Sequence, residues 1–168
     1  MEITKKIKIN YLLVLAITLC MISVIVMMVS LCNLKEEASV FVPPAFDDTS
    51  IIGTPTVPED LGWQEFDAKI FKVNACGKIV PQGNLVDVWM YNPIDNNVWL
   101  KMRVLDVDAN ILGESNLIKP GEYIQSVVVS KELTAGTEIR LKIMAYQPNT
   151  FFSEGSIVLK TIISDKLE

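Results

Sequence analysis

The chain has 168 residues, with 15 Lys and Arg residues against 20 Asp and Glu residues, and it contains no histidine. The lack of histidine removes the commonest general base, the usual partner of serine and cysteine nucleophiles, and the commonest zinc ligand. Most hydrolase designs are therefore excluded, and paired carboxylates remain as the catalytic option. We expect no cofactor.

The N-terminal region predicts a membrane-spanning helix. Residues 11–34 carry no charged side chain, and as a helix they would rise roughly 36 Å, against a hydrocarbon core of about 30 Å. Three lysines precede this run within residues 1–10, whereas the one lysine that follows it is offset by two glutamates. Because basic flanks stay on the cytoplasmic side, residues 1–10 should be cytoplasmic, and 11–34 should anchor a single-pass protein of the cell membrane.

The exit from this run favours a retained signal anchor over a cleaved signal peptide, which remains the alternative. No small-residue cleavage site of the A-x-A type follows the run. Cys32 follows Leu31, where a lipoprotein signal has a small residue, so lipidation is disfavoured. Cys76 lies alone outside the run, and it is either a half-buried strand residue or a thiol for intermolecular bonding or reaction.

The exterior region is acidic. Residues 35–168 hold 12 basic and 19 acidic residues, a net charge of 12 − 19 = −7. Nucleic acids and anionic lipids need a basic patch on their partner, so we expect no nucleic acid to bind. The expected contacts are the membrane, through the helix, and an unidentified envelope protein or glycan; the sequence does not indicate an oligomeric state.

Residues 35–63 are typical of a semi-extended spacer, because four prolines lie among polar residues. The stretch is nevertheless rich in apolar residues. Three interpretations stay open: it packs along the domain as an edge strand, it docks on a partner, or it leaves apolar side chains exposed. The apolar residues are Val40, Phe41, Val42, Phe46, Ile51 and Ile52.

Residues 64–164 predict an all-β domain, followed by a tail at 165–168. Short alternating segments separated by turn residues every 8 to 12 positions are typical of an immunoglobulin-like or fibronectin-III-like sandwich of about seven strands. In the third strand, Leu100, Met102 and Val104 share one face, and Trp99, Lys101 and Arg103 share the other. The predicted strands are 68–75, 85–92, 98–107, 111–115, 123–130, 138–146 and 156–164.

Four segments carry a resemblance to a known group: GTPTVPEDLG (53–62), NVWLK (97–101), LIKPGEY (117–123) and KIMAY (142–146). The chain resembles an uncharacterised family of small, N-terminally membrane-anchored, Ig-like β-sandwich surface proteins of Gram-positive bacteria. The likeness covers about residues 53–164. It implies the same fold and location, and it transfers no catalytic residue.

Two constellations are candidate sites. Asp106, Asp108 and Asn110 match the start of an EF-hand calcium loop, but Ile111 stands where that loop has glycine and Leu117 where it has glutamate. A hairpin turn explains the same residues, so calcium binding is the weaker interpretation.

Trp89, Tyr91 and Trp99 lie on predicted strands that follow each other in the chain, and we expect those strands to be neighbours. The three aromatics then form either a binding face or ordinary cross-strand packing. The sequence thus predicts a non-catalytic, membrane-anchored extracellular module for binding or assembly at the bacterial cell surface. The alternative is a carboxylate-based enzyme or enzyme-accessory domain, anchored or released by signal-peptide cleavage.

Overall fold

The computed structural model describes residues 2–33 and 41–165, which fall into two units, Met1–Val42 and Pro43–Glu168. The first contains helix α1, Glu2–Asn33. Within α1, Leu13–Ser30 has a mean hydropathy of 2.7 and none of this window is buried. The predicted apolar helix is confirmed, and its length and composition suit a membrane anchor or a signal sequence.

The second unit consists of strands and one short 3-10 helix, Glu59–Leu61. Seven of its strands overlap the seven that the sequence predicts, and the strands at 51–52, 63–67 and 80–82 were not predicted. The strands are β1 (Ile51–Ile52), β2 (Trp63–Asp67), β3 (Lys72–Cys76), β4 (Val80–Gln82), β5 (Leu85–Tyr91), β6 (Trp99–Leu105), β7 (Ile111–Glu114), β8 (Glu122–Val128), β9 (Glu138–Tyr146) and β10 (Ser153–Ile162).

The strands form two antiparallel sheets, which confirms the all-β sandwich. One sheet has six strands in the order β1-β8-β5-β3-β2, with β4 paired to β5. The other has four strands in the order β10-β9-β6-β7. Consecutive strands β5 and β6 therefore belong to different sheets.

The inner faces of both sheets make one apolar core. The alternation predicted for β6 is confirmed, because Leu100, Met102 and Val104 are fully buried while Lys101 and Arg103 are half-buried. Leu105 lies on the outer face, opposite Arg140 and next to a β-bulge, but it is buried there. Each fully buried aliphatic side chain contributes about 1.5 to 3 kcal/mol, so this core dominates the stability of the unit.

The stretch predicted as a spacer is part of the fold from Pro43 onward. Ile51 and Ile52 pair with Tyr123 and Glu122 on β8, and Leu61 is 2% exposed. Of the three interpretations left open, the structure shows two: the chain pairs as an edge strand at Ile51–Ile52, and apolar side chains of the stretch stay exposed. The exposed ones are Phe41, Val42, Phe46, Ile51 and Ile52. Docking on a partner stays a prediction. The domain boundary drawn at residue 64 therefore moves to residue 43, because backbone pairing with β8 and the burial of Leu61 hold the preceding chain against the sheet.

A buried asparagine fixes the crossing from β5 to β6. Asn92 is 0% exposed, and its Nδ2 donates to the carbonyl oxygens of Val98 (2.9 Å) and Ile118 (3.2 Å). Asn96 Nδ2 donates to Asn92 Oδ1 (2.6 Å) and to the Lys72 carbonyl (2.6 Å). The turn at 92–97 thus joins β3, β5 and β6, which is a structural role.

Candidate functional site

The structure separates the three aromatic residues of the expected binding face. Trp89 and Tyr91 lie on β5 and Trp99 lies on β6, in different sheets, so the expectation of neighbouring strands is wrong. The Trp99 ring packs against Phe46 (centroids 4.8 Å apart) and Phe151 (5.2 Å). Trp99 is thereby covered by aromatic side chains from the segments before β1 and before β10, and a shared face is left only for Trp89 and Tyr91.

Trp89 is held in an unusual backbone conformation. Its φ is 44°, and β5 is bulged between Asp87 and Met90. A bulky residue at positive φ is strained, and bulges re-aim side chains next to functional sites. The Trp89 ring stacks on Tyr123, with centroids 6.2 Å apart and planes 17° apart. The bulge therefore presents an aromatic pair on the outer face of the six-stranded sheet.

An open cleft of about 470 Å³ lies beside this ring. We call it the Trp89 cleft. Its apolar wall comes from the segment before β2 and from β4, and its polar wall comes from β4, β5 and β8. It is lined by Pro58, Leu61, Val80, Gln82, Asp87, Trp89 and Gln125.

Asp87 is the charged group of the cleft, and it is 8% exposed. Gln82 Nε2 donates to Asp87 Oδ2 over 2.7 Å, and Gln125 donates a second hydrogen bond. Burial raises the pKa of Asp87, and the two amide donors offset part of that effect. The carboxylate is therefore held in one orientation by two side chains that themselves reach solvent.

A small second apolar cluster shares Leu61, Val80 and Trp89 with the lining of the cleft. It contains Leu61, Cys76 and Val80, with Trp63 and Trp89 packed against it. Burial, with a smaller contribution from the Asp87 charge, raises the pKa of the Cys76 thiol to about 12. Cys76 is 1% exposed, so its burial exceeds the half-burial predicted. A protonated, covered thiol is a poor nucleophile.

The calcium candidates form a hairpin turn between β6 and β7. Asp106 Oδ1 accepts from the backbone N–H groups of Asp108 and Asn110, each at 2.9 Å, and its Oδ2 accepts from Asn110 Nδ2 at 2.9 Å. Hydrogen bonds from Asn110 lower the pKa of Asp106. Among the described residues no three Asp, Glu or Cys side chains gather to hold a metal ion, and this carboxylate is already engaged by its own turn.

A shallow depression of about 320 Å³ near the β2–β3 turn contains three carboxylates, those of Glu65, Asp67 and Asp95. Glu65 pairs with Lys72 at 2.9 Å, and Asp67 Oδ1 accepts from the backbone N–H of Lys69 at 2.7 Å. Two of the three carboxylates are therefore occupied by structural contacts.

Sequence reasoning found part of the Trp89 cleft and missed the rest. Alternation along β5 correctly places Asp87 on the face of Trp89, although Asp87 was not singled out. Gln82, Gln125 and Leu61 were missed, because β4 and the 3-10 helix are too short to leave a period. The bulge at Trp89 has no sequence signal that we recognise.

Comparison with known proteins gives one distant likeness in fold. The chain is similar to the crystal structure of CopC from Methylosinus trichosporium OB3b, with 13% sequence identity and a TM-score of 0.35, over 56% of this chain and 88% of that one. A likeness of this degree carries no argument about ligands or function. No protein-family model and no curated protein matches the chain.

Proposed function

We propose that this protein is a membrane-tethered, non-catalytic β-sandwich module that binds a glycan of the bacterial cell envelope in the Trp89 cleft. The observation that carries the proposal is the pairing of a strained, bulge-presented Trp89 with the nearly buried, doubly hydrogen-bonded carboxylate of Asp87. Strain and a buried polar group both cost stability, and such costs concentrate at functional sites.

The chemistry of the cleft suits a sugar. The Trp89 ring offers an apolar surface for the C–H face of a pyranose ring. The Asp87 carboxylate accepts hydrogen bonds from hydroxyl groups, while the amides of Gln82 and Gln125 both donate and accept them. A mostly apolar wall with a few fixed polar groups is the usual make-up of a small-ligand site.

Binding is favoured over catalysis by the charges at the cleft. Asp87 is its acidic lining residue, whereas glycoside hydrolysis uses two carboxyl groups about 5 to 9.5 Å apart. Burial raises the pKa of Asp87. A carboxylate that holds a ligand by hydrogen bonds can be buried in this way, so the raised pKa does not require a role in proton transfer.

The tether and its orientation belong to the same proposal. The apolar helix, the three lysines before it and the resemblance to anchored Gram-positive surface proteins support a retained anchor with an external sandwich. Intact mass spectrometry of the membrane fraction tests retention. We expect the full 18.8 kDa chain, and a shorter chain that begins near residue 35 would show a cleaved signal peptide.

Glycan binding is tested by calorimetric titration of the full chain in nanodiscs of zwitterionic lipid. The probes are soluble oligomers of N-acetylglucosamine and, in parallel, of glucose. Gln125 is exposed, so Gln125→Ala should keep the fold. One lost hydrogen bond is worth about 0.5 to 1.5 kcal/mol, which predicts roughly 2- to 10-fold weaker binding.

Trp99→Phe is the matched control, because Trp99 lies on the other sheet. It should leave the affinity unchanged. The proposal fails if neither oligomer series binds, or if Trp99→Phe weakens binding as much as Gln125→Ala does.

A further inference from the structure

The outer face of the four-stranded sheet is basic, although the unit that carries it is acidic. Residues 43–165 contain 10 basic and 16 acidic residues, a net charge of 10 − 16 = −6. Five of those basic residues project from the outer face of β6, β9 and β10, because they alternate with the buried core positions of the same strands. We call them the basic stripe: Lys101, Arg103, Arg140, Lys142 and Lys160.

Strand register makes the stripe continuous. Arg103 on β6 lies directly opposite Lys142 on β9, and Arg140 on β9 lies directly opposite Lys160 on β10. With strands about 4.8 Å apart and about 6.8 Å between alternate residues, the cations run diagonally across three strands for roughly 17 Å. Like charges directly opposite each other are unfavourable in a sheet, so the choice of cations at these paired positions is not explained by stability.

Only part of the stripe is neutralised. Glu114 on β7 pairs with Lys101 at 2.9 Å and with Arg103 at 2.8 Å. Glu138, at the end of β9, is a second carboxylate beside the stripe, so five cations stand against two adjacent carboxylates, 5 − 2 = +3. In the described part of the chain, Arg140, Lys142 and Lys160 form no ion pair within 4.0 Å.

A depression of about 270 Å³ lies at the β10 end of the stripe. Two cations and one carboxylate line it, among Val107, Glu138, Ile139, Arg140, Lys160, Thr161 and Ile162. Two cations without an ion-pair partner, beside a concave surface, can bind an anionic group. The premise that an acidic exterior lacks a basic patch therefore does not hold on this face.

From this register we infer that the basic stripe is a binding site for a linear, phosphate-bearing polyanion. The stripe is one residue wide and is bordered by Leu105 and Val158, which suits a chain of charges better than the broad plane of a lipid surface. Arginine and lysine both bind phosphate, and arginine does so bidentately. Trp99, on the same face, is already covered by Phe46 and Phe151, so its ring is not open for stacking on nucleic-acid bases. Recognition by the stripe is therefore electrostatic.

The test uses linear polyphosphate of about twenty units as the probe and the full chain in nanodiscs of zwitterionic lipid. Binding is followed by calorimetry at several NaCl concentrations. Three unpaired cations predict a fall in log K with log [salt] of slope about 2, taking about 0.7 per charge as for single strands. The variant Arg140→Gln/Lys142→Gln should bind at least tenfold more weakly and with a slope below about 1.

Lys69→Gln/Lys78→Gln is the charge-matched control, since both lysines are exposed and lie outside the stripe. It should bind like the parent chain. A thermal melt shows that the stripe variant folds, and its melting temperature should equal or exceed that of the parent, because two like-charge pairs are relieved. Arg140→Lys keeps the charge and should keep most of the affinity.

Phosphatidylglycerol vesicles and polyglutamate distinguish other occupants. The inference is overturned if either binds as tightly as polyphosphate, if the stripe variant keeps parental affinity, or if the control loses as much. Glycan binding in the Trp89 cleft is independent of every one of these outcomes, because the cleft lies on the other sheet.

Discussion

Replacing Leu61 by alanine should loosen the segment that covers Cys76. Leu61 is 2% exposed and packs with Cys76, Val80 and Trp89. Leucine-to-alanine changes in cores cost about 2 to 5 kcal/mol. The cluster is small and lies outside the main core, so we expect about 2 to 3 kcal/mol. Most of this loss should fall on local opening of the 3-10 helix rather than on global unfolding.

Maleimide labelling of Cys76 measures that opening directly. The chain used carries Cys20→Ser and Cys32→Ser, so that Cys76 is the sole thiol. Because each 1.4 kcal/mol is a factor of ten, Leu61→Ala should raise the labelling rate by about 30- to 150-fold. Urea unfolding of the same protein gives the global free energy for comparison.

Ile52→Ala is the matched control, because Ile52 lies in the same stretch and is 85% exposed. It should label at the parental rate. If Leu61→Ala also labels within about twofold of the parent, then the stretch before β2 does not cover Cys76, and the placement of the cleft wall is refuted.

Three further changes probe the fold and the site. Gly113→Ala would push a Cβ into the backbone carbonyl of Val128, and it should lower the free energy of unfolding by about 3 kcal/mol or more. At Gly83 a Cβ would meet open space, but φ is 67°, so Gly83→Ala should lower it by about 1 to 2 kcal/mol. Equal losses of the two variants in urea unfolding would contradict this. Burial raises the pKa of Asp87, so the folded state gains stability as the pH falls through that raised pKa, and ionisation at higher pH costs stability. Asp87→Asn should therefore be at least as stable as the parent at pH 7, and its free energy of unfolding should not rise on acidification as that of the parent does. Urea unfolding between about pH 4 and 7 measures both. A variant less stable than the parent at pH 7 would contradict this reasoning. Calcium should leave the melting temperature unchanged, because Asp106 is held by its own turn, and a rise that depends on calcium concentration would revive the metal site.

The strands were predictable where the chain is long enough to show a period. Alternation in β6 predicts its buried face because one side of each sheet packs on the core, and β9 and β10 follow the same rule. β1 and β4 have two and three residues, too few for any period. The residues before β2 are typical of a spacer because proline and polar residues dominate there, while the pairing of Ile51–Ile52 with β8 and the burial of Leu61 depend on tertiary contacts.

The sites were less predictable, because they depend on which strands become neighbours. The sequence places Asp87 and Trp89 on one face, but it gives no sign that the chain crosses between sheets after Asn92, which separates Trp99 from them. The basic stripe was hidden for the same reason. Lys142 and Arg103 are 39 positions apart, and only the register of β6 with β9 brings them together.

Photo-crosslinking in intact cells tests the central claim most directly. A benzophenone amino acid replaces Gln125 at the rim of the Trp89 cleft, or the exposed Lys131 as a control, and the products are analysed by mass spectrometry. We predict carbohydrate adducts from the Gln125 position and none from the Lys131 position. Adducts to polypeptide alone, or equal carbohydrate adducts from both positions, would contradict a glycan site in the cleft.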